Sequence, residues 1–177
     1  MRQRQALFRG GGAPSAIATV AFASALALGA AWPATADARV RAHFVRPRGE
    51  SPALSLELAD TLPKQARGLM YRRRLPARHG MLFAFDQATP RSFWMKDTFV
   101  SLDMVFADAS CRIVHIVEQA EPHSTESRGS PVPSQFVVEV AGGSARALGA
   151  EEGGTLRFEA PLADGRLLRC PPPPAAK

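Results

Sequence analysis

The side chains with the most chemical potential in this sequence gather in one short stretch: Trp94, Lys96, Asp97 and Thr98, with Asp103 close behind. Apolar Phe93 and Met95 alternate with Trp94 and Lys96. Successive side chains of an extended chain point to opposite faces. If Phe93 and Met95 face the core, Trp94 and Lys96 look toward a second surface. There an indole suits stacking on a sugar, a ring or an apolar ligand, and the ammonium of Lys96 can hold an anion or pair with Asp97 or Asp103. The structural alternative makes Trp94 a packing residue and Lys96 its snorkelling neighbour. Arg67, on a preceding helix, would close one wall. The candidate ligand site is therefore Arg67, Trp94, Lys96, Asp97, Thr98 and Asp103, with Met70 and Met95 read as core or as apolar lining of the site.

Catalytic chemistry has little to draw on. The sequence contains no GxSxG, HExxH, CxxC or P-loop. His43, His79, His115 and His123 are scattered without metal-ligand spacing. His115 shares a strand face with Ile113 and Val117 and reads as a core or edge residue. Asp97 and Asp103 would sit roughly 20 Å apart on a straight strand, beyond the ~5–9.5 Å separation of glycosidase carboxylates. Only a turn between them would bring them together. Arg72, Arg73, Arg74 and Arg78 form a basic cluster, read as a solvated helix end that also suits anionic glycan or lipid head groups. No catalytic residue, metal site or cofactor is assigned.

The elements that must position these residues are short. Leu54, Leu56 and Leu58 alternate with Ser55 and Glu57 as in a half-buried strand. Asp60 or Thr61 then caps a helix over 62–73, with Pro63 tolerated in its first turn. Further strands are expected over 81–85, 93–96, 102–107, 112–118, around Phe136 to Val140, around Leu156 to Glu159, and near Leu167. Residues 121–134 hold Pro122, Pro131 and Pro133 and read as a loop. Residues 144–148, after Gly142 and Gly143, read as a short helix. The apolar phase is odd at Phe93 and Met95 but even at Leu102, Met104 and Phe106, so a turn or bulge near 97–101 must reset it. Seven to eight short strands with one flanking helix and one short helix make the expected class mainly β, a compact β-sandwich or small barrel.

The ends of the chain read differently. Arg2, Arg4 and Arg9, the apolar stretch 16–31 and Ala34-Thr35-Ala36 make the three-part pattern of a signal peptide over residues 1–36. Residues 37–52 read as a linker, 53–170 as the β domain and 171–177 as a Pro-rich tail. Export to a periplasmic or extracellular compartment favours a disulfide between Cys111 and Cys170, against two separate thiols. No transmembrane span would remain after cleavage. Much of the +6 net charge lies in the leader arginines, so the charge does not point to nucleic acid. A monomer is expected.

One combination of motifs is specific. Ala59-Asp60-Thr61, Arg67-Gly68-Leu69-Met70 and Gly80-Met81-Leu82-Phe83 are followed by Phe93-Trp94-Met95-Lys96-Asp97-Thr98, then Leu102-Asp103-Met104-Val105-Phe106. Together with Phe136-Val137-Val138-Glu139-Val140 and Gly142-Gly143, these resemble domain-of-unknown-function family 192 over roughly residues 54–160. The family commonly has Asn where Asp97 stands and Pro where Ser101 stands. The resemblance implies a mainly β domain, often exported in bacteria, and implies no assigned activity. Two functions are carried forward. The first is a non-catalytic binding or accessory module of the cell envelope, with a small-molecule or glycan ligand. The alternative is an unrecognised hydrolase-type enzyme acting on envelope material.

Overall fold

Alternating apolar residues dictate a sheet, and the computed structural model, which describes residues 39–162 and 164–170, contains one. Its strands are β1 (Val40–Arg46), β2 (Gly49–Glu50), β3 (Leu54–Ala59), β4 (His79–Phe93), β5 (Leu102–Ala107), β6 (Ile113–Ala120), β7 (Arg128–Ala141), β8 (Thr155–Pro161) and β9 (Leu167–Arg169). The one helix among the described residues, α1, is Leu62–Arg67. The strand order is β6-β5-β7-β4-β3-β1-β8-β9, with β2 paired to β1. The sheet is not closed into a barrel, but it curls. The Ile113 N–H donates to the Gly154 carbonyl and the Leu156 N–H to the Cys111 carbonyl, each at 2.8 Å, so the turn before β6 meets β8. The Cys111–Cys170 disulfide, with Cα atoms 5.6 Å apart, fastens the same turn to the end of β9.

Two apolar clusters lie on the two faces. Phe44, Leu54, Leu56, Leu82, Val105, Val138, Leu156 and Phe158 fill the inside of the curl. Met81, Phe83, Leu102, Met104, Phe106 and Val137 form the second cluster, completed by Leu69 and Met95 from outside the sheet. All six residues of β5 are consequently buried. Strands buried on both faces read as continuous apolar runs rather than as alternation.

β3 and β4 run parallel, from Ser55 beside His79 to Ala59 beside Phe83. Parallel neighbours need a crossover, and α1 with the turns after it supplies one. The helix is shorter than the expected 62–73. Gly68 has φ 49° and Tyr71 φ 65°, values that end a right-handed helix. The turns after Gly68 carry the chain back over the second cluster instead.

Other expectations need correction. The supposed linker 37–52 supplies β1, whose Val40, Ala42 and Phe44 are buried between β3 and β8; alternate arginines mask this amphipathic strand. β4 is one strand of fifteen residues rather than two short ones, and 94–96 lies beyond its end. β7 begins at Arg128, so part of the supposed loop 121–134 is strand. Its prolines sit where the pairing with β4 is irregular, with register shifts between Ala84 and Thr89 and between Thr89 and Arg91, positions where a missing N–H is tolerated. Residues 144–148 form hydrogen-bonded turns, not a helix. The phase reset does occur, at the Lys96–Asp97 turn, where Asp97 has φ 54°. Asp and Asn tolerate this left-handed conformation better than most residues. The signal peptide and the Pro-rich tail fall on residues 1–36 and 171–177, outside the described residues. Among the described residues no helix is long and apolar enough to cross a membrane.

Candidate functional site

The turn that follows α1 passes over the second face of the sheet and leaves a cleft of about 380 Å³ beneath it. One wall is the segment from Gln65 to Met70, and the opposite wall is the far end of β4 from Pro90 to Phe93, continued by Trp94. Register shifts between Ala84 and Thr89 and between Thr89 and Arg91 interrupt the pairing just before that end of β4, the kind of irregularity that bends a strand. Phe83 on β4, Leu102 on β5 and Glu139 on β7 make the floor.

The walls are aromatic. Phe83 packs edge-on against Phe93 with ring centroids 5.2 Å apart and lies 6.4 Å from Phe85. The Arg91 guanidinium sits 3.8 Å over the Phe85 ring, and burial lowers its pKa. Trp94 is 53% exposed, with the Lys96 ammonium 5.5 Å from its ring centroid. Trp94 is therefore not a buried packing residue.

Glu139 is the unusual group. It is only 4% exposed, and no hydrogen-bond donor or ion partner meets its carboxyl among the described residues. Removal from water disfavours the charged form, and burial pushes the Glu139 carboxyl up to about 8. The carboxyl is thus mostly protonated at neutral pH. Gly68 roofs it: a Cβ built on Gly68 would lie 3.3 Å from the Phe83 ring and 3.9 Å from Glu139 Oε2. Any larger residue at this position would crowd the space over the carboxyl.

The sequence-derived candidates separate into three groups. Arg67, Trp94 and Thr98 line the cleft, with Arg67 exposed at its mouth. Lys96 and Asp97 stand beside it and hold its wall. The Asp97 carboxylate accepts from the Tyr71 hydroxyl at 3.3 Å, and the Asp97 carbonyl accepts from the Tyr71 N–H at 2.7 Å, tying the α1 turn to the Trp94 loop. The Thr98 hydroxyl donates to the Lys96 carbonyl at 3.2 Å. Asp103 belongs to neither group. It points to the opposite face of β5, 1% exposed, and accepts from the Gln119, Gly143 and Ala145 N–H groups at 2.7, 2.9 and 2.8 Å. Its inclusion in the ligand site is corrected: it anchors the β6 bulge and the turn after β7. The shift of phase suggests a polar side for Asp103, but that side of β5 faces the core inside the curl.

Sequence reasoning misses Glu139, Gly68, Phe85 and Arg91. In the sequence Glu139 looks like the solvent-facing member of an alternating strand. The available signal is Val137, on the same face and apolar: one Glu in an otherwise apolar run fits a strand buried on both sides. Among the described residues no group of three or more His, Cys, Asp or Glu is placed to hold a metal ion.

Comparison with other proteins gives a consistent picture. The model of the DUF192 family, described as "Uncharacterized ACR", matches residues 43–158. No curated protein matches the chain. Among solved structures, a candidate transcription regulator from Sinorhizobium meliloti 1021 is 36% identical with a TM-score of 0.66, the alignment covering 68% of this chain and 94% of that one. A protein of unknown function from Novosphingobium aromaticivorans DSM 12444 is 30% identical with a TM-score of 0.66, covering 70% of this chain and 88% of that one.

Proposed function

We propose, from the premise that the chain belongs to the DUF192 family, that it is a non-catalytic binding module of the cell envelope whose ligand occupies the cleft between the α1 turn and the end of β4. The observation that carries this reading is the cleft itself. It combines aromatic walls, an arginine at the mouth and a buried polar group at the floor, the usual make-up of a small-molecule site. Among the described residues it brings no nucleophile–base pair and no metal cluster to the same place. Trp94, half exposed at the rim, offers a ring face for stacking. Support for an envelope location is the leader pattern of residues 1–36 and the Cys111–Cys170 bond, which persists in oxidising compartments.

The alternative, a hydrolase-type enzyme acting on envelope material, draws on one observation. A carboxylic acid that keeps its proton near neutrality, as Glu139 does, has the property required of a general acid. Among the described residues no free second carboxylate, as a glycosidase would use, stands beside it. Asp97 is held on Tyr71 and Glu57 on Arg72.

The test uses Trp94 as its own reporter. The sequence has two tryptophans, and the other, Trp32, lies in the leader. In the exported protein, emission from Trp94 should change saturably with an aromatic small molecule that fills the cleft. Trp94→Ala should weaken that binding by about tenfold or more, measured by calorimetry, while leaving the melting temperature within a few degrees. Release of product from the bound compound, lost in Glu139→Gln, would select the enzyme instead.

A further inference from the structure

The cleft holds a carboxyl that no described residue satisfies. Glu139 is more than nine-tenths buried, and a buried polar group without a partner is costly to maintain. Its place in the sheet explains why the protein does not supply one. On one side of Glu139 in the same lateral row is Met81 and on the other Met104, side chains with no hydrogen to donate. Above it is Gly68, which has no side chain. The open direction is into the cleft.

The charged groups around it fix what can enter. Glu57 lies in the same row, two strand spacings or about 10 Å away, but Arg72 holds it in a bidentate pair and Arg39 lies 3.7 Å from it. Arg91 faces the cleft with its guanidinium committed to the Phe85 ring and to the Gln87 carbonyl. Arg67 stands at the mouth. β5 presents Leu102, Met104 and Phe106 to this face, none of them charged. A ligand thus meets an unpaired acid at depth, aromatic rings along the walls and an arginine at the entrance. Aromatic rings attract cations through their faces, and on this wall Arg91 over Phe85 already shows a cation seated in that way.

Building on the binding-module reading, we infer that the cleft recognises a small zwitterion, with a protonated amine placed on the Glu139 carboxylate, an apolar or aromatic body between the walls, and an anionic group facing Arg67. Pairing with the amine requires Glu139 to be ionised. The ammonium keeps its protons, and the carboxyl proton passes to solvent. Binding near neutrality is therefore coupled to release of a proton from the protein, and it tightens as rising pH removes that proton beforehand.

The experiment is isothermal titration of the full exported protein with 4-(aminomethyl)benzoate, benzylamine and benzoate. It is run at several pH values and in buffers of different ionisation enthalpy. The zwitterion should bind most tightly and benzylamine more weakly. Both should tighten by roughly fiftyfold between about pH 6 and pH 8 with proton release to the buffer. Glu139→Gln, which matches the shape of the protonated side chain, should remove the proton release and weaken the zwitterion by at least about tenfold. Arg67→Ala should weaken the zwitterion but not benzylamine. Benzoate binding more tightly than benzylamine, or affinity that falls with rising pH, would overturn the inference while leaving a binding module in place. Binding of none of the three would overturn it too, and the Trp94 fluorescence survey would then decide the binding-module reading on its own.

Discussion

Glu57 and Glu139 lie in one lateral row of the sheet with only Met81 between them, and only one of the two has a partner among the described residues. Arg72 reaches Glu57 from the turns after α1 and donates to both carboxylate oxygens, at 2.8 and 2.5 Å. Glu139, deeper in the same row, is met by no cation among the described residues, and burial keeps it largely protonated instead. The chain crosses this face once between β3 and β4, and where it passes over Glu139 it places Gly68 there. Having no side chain, Gly68 leaves open the part of the cleft that lies over the Glu139 carboxyl.

The unpaired acid makes stability depend on pH. Its carboxyl is raised from an ordinary 4.5 to about 8 by burial. Below 4.5 it is protonated in folded and unfolded chains alike. Between 4.5 and 8 the folded chain keeps a proton that the unfolded chain has released, so this group makes stability fall as pH rises through that window. Urea denaturation of the protein and of Glu139→Gln should coincide near pH 4 and diverge toward pH 8. There the variant should be more stable by a few kcal/mol, because each tenfold change in proton affinity is worth about 1.4 kcal/mol. Equal pH profiles would contradict the burial of an ionisable group at this position.

Removing the partner of Glu57 should have a different effect. Arg72→Ala leaves a carboxylate in a mostly buried position and should cost about 1–3 kcal/mol in denaturant unfolding. The same change in a Glu57→Gln background should cost less, because the charge left behind is gone. A double-mutant cycle showing no coupling would mean that the pair does not hold the α1 turn to β3.

How much of this is readable from the sequence varies from residue to residue. The alternation at Leu54, Leu56 and Leu58 and the phase change between Met95 and Leu102 point to strands and a turn that the structure contains, because period two and turn chemistry are local properties. Arg67, Trp94 and Thr98 stand out by residue type and do line one cleft. Asp103 is not separable from them in sequence, since its role depends on three N–H groups from β6 and the turn after β7, far from it along the chain. β1 is hidden because Arg39, Arg41, Arg46 and Arg48 resemble a linker, although Val40, Ala42 and Phe44 alternate among them. Glu139 is hidden because a strand covered on its second face by a distant loop looks, in isolation, like a strand with one wet face.

Asp103 gives a test of that separation. Asp103→Asn keeps the size but loses the charge that three N–H donors share. It should destabilise the fold by about 1–3 kcal/mol and leave ligand affinity unchanged, because it lies on the other face of β5. A variant of normal stability that no longer binds would place Asp103 back in the site.

Intact mass spectrometry of protein from its native host addresses compartment and cross-link together. The expected species begins at Asp37 and is lighter by two hydrogens than its fully reduced form. Blocking the bond with Cys111→Ser should lower stability by about 4 kcal/mol, as expected for closing a loop with a sequence separation of 59 residues. An intact Met1 end, or two alkylatable thiols, would contradict the envelope reading.

The central claim, that the cleft under Gly68 is where this protein binds its ligand, is tested most directly by an NMR titration of backbone amides and of the Trp94 indole with 4-(aminomethyl)benzoate. Saturable shifts confined to Gly68, Leu69, Phe93, Trp94 and Glu139 are the expected result. Shifts centred instead on Arg41, His43 and Arg157, which line a separate depression on β1 and β8, would contradict it.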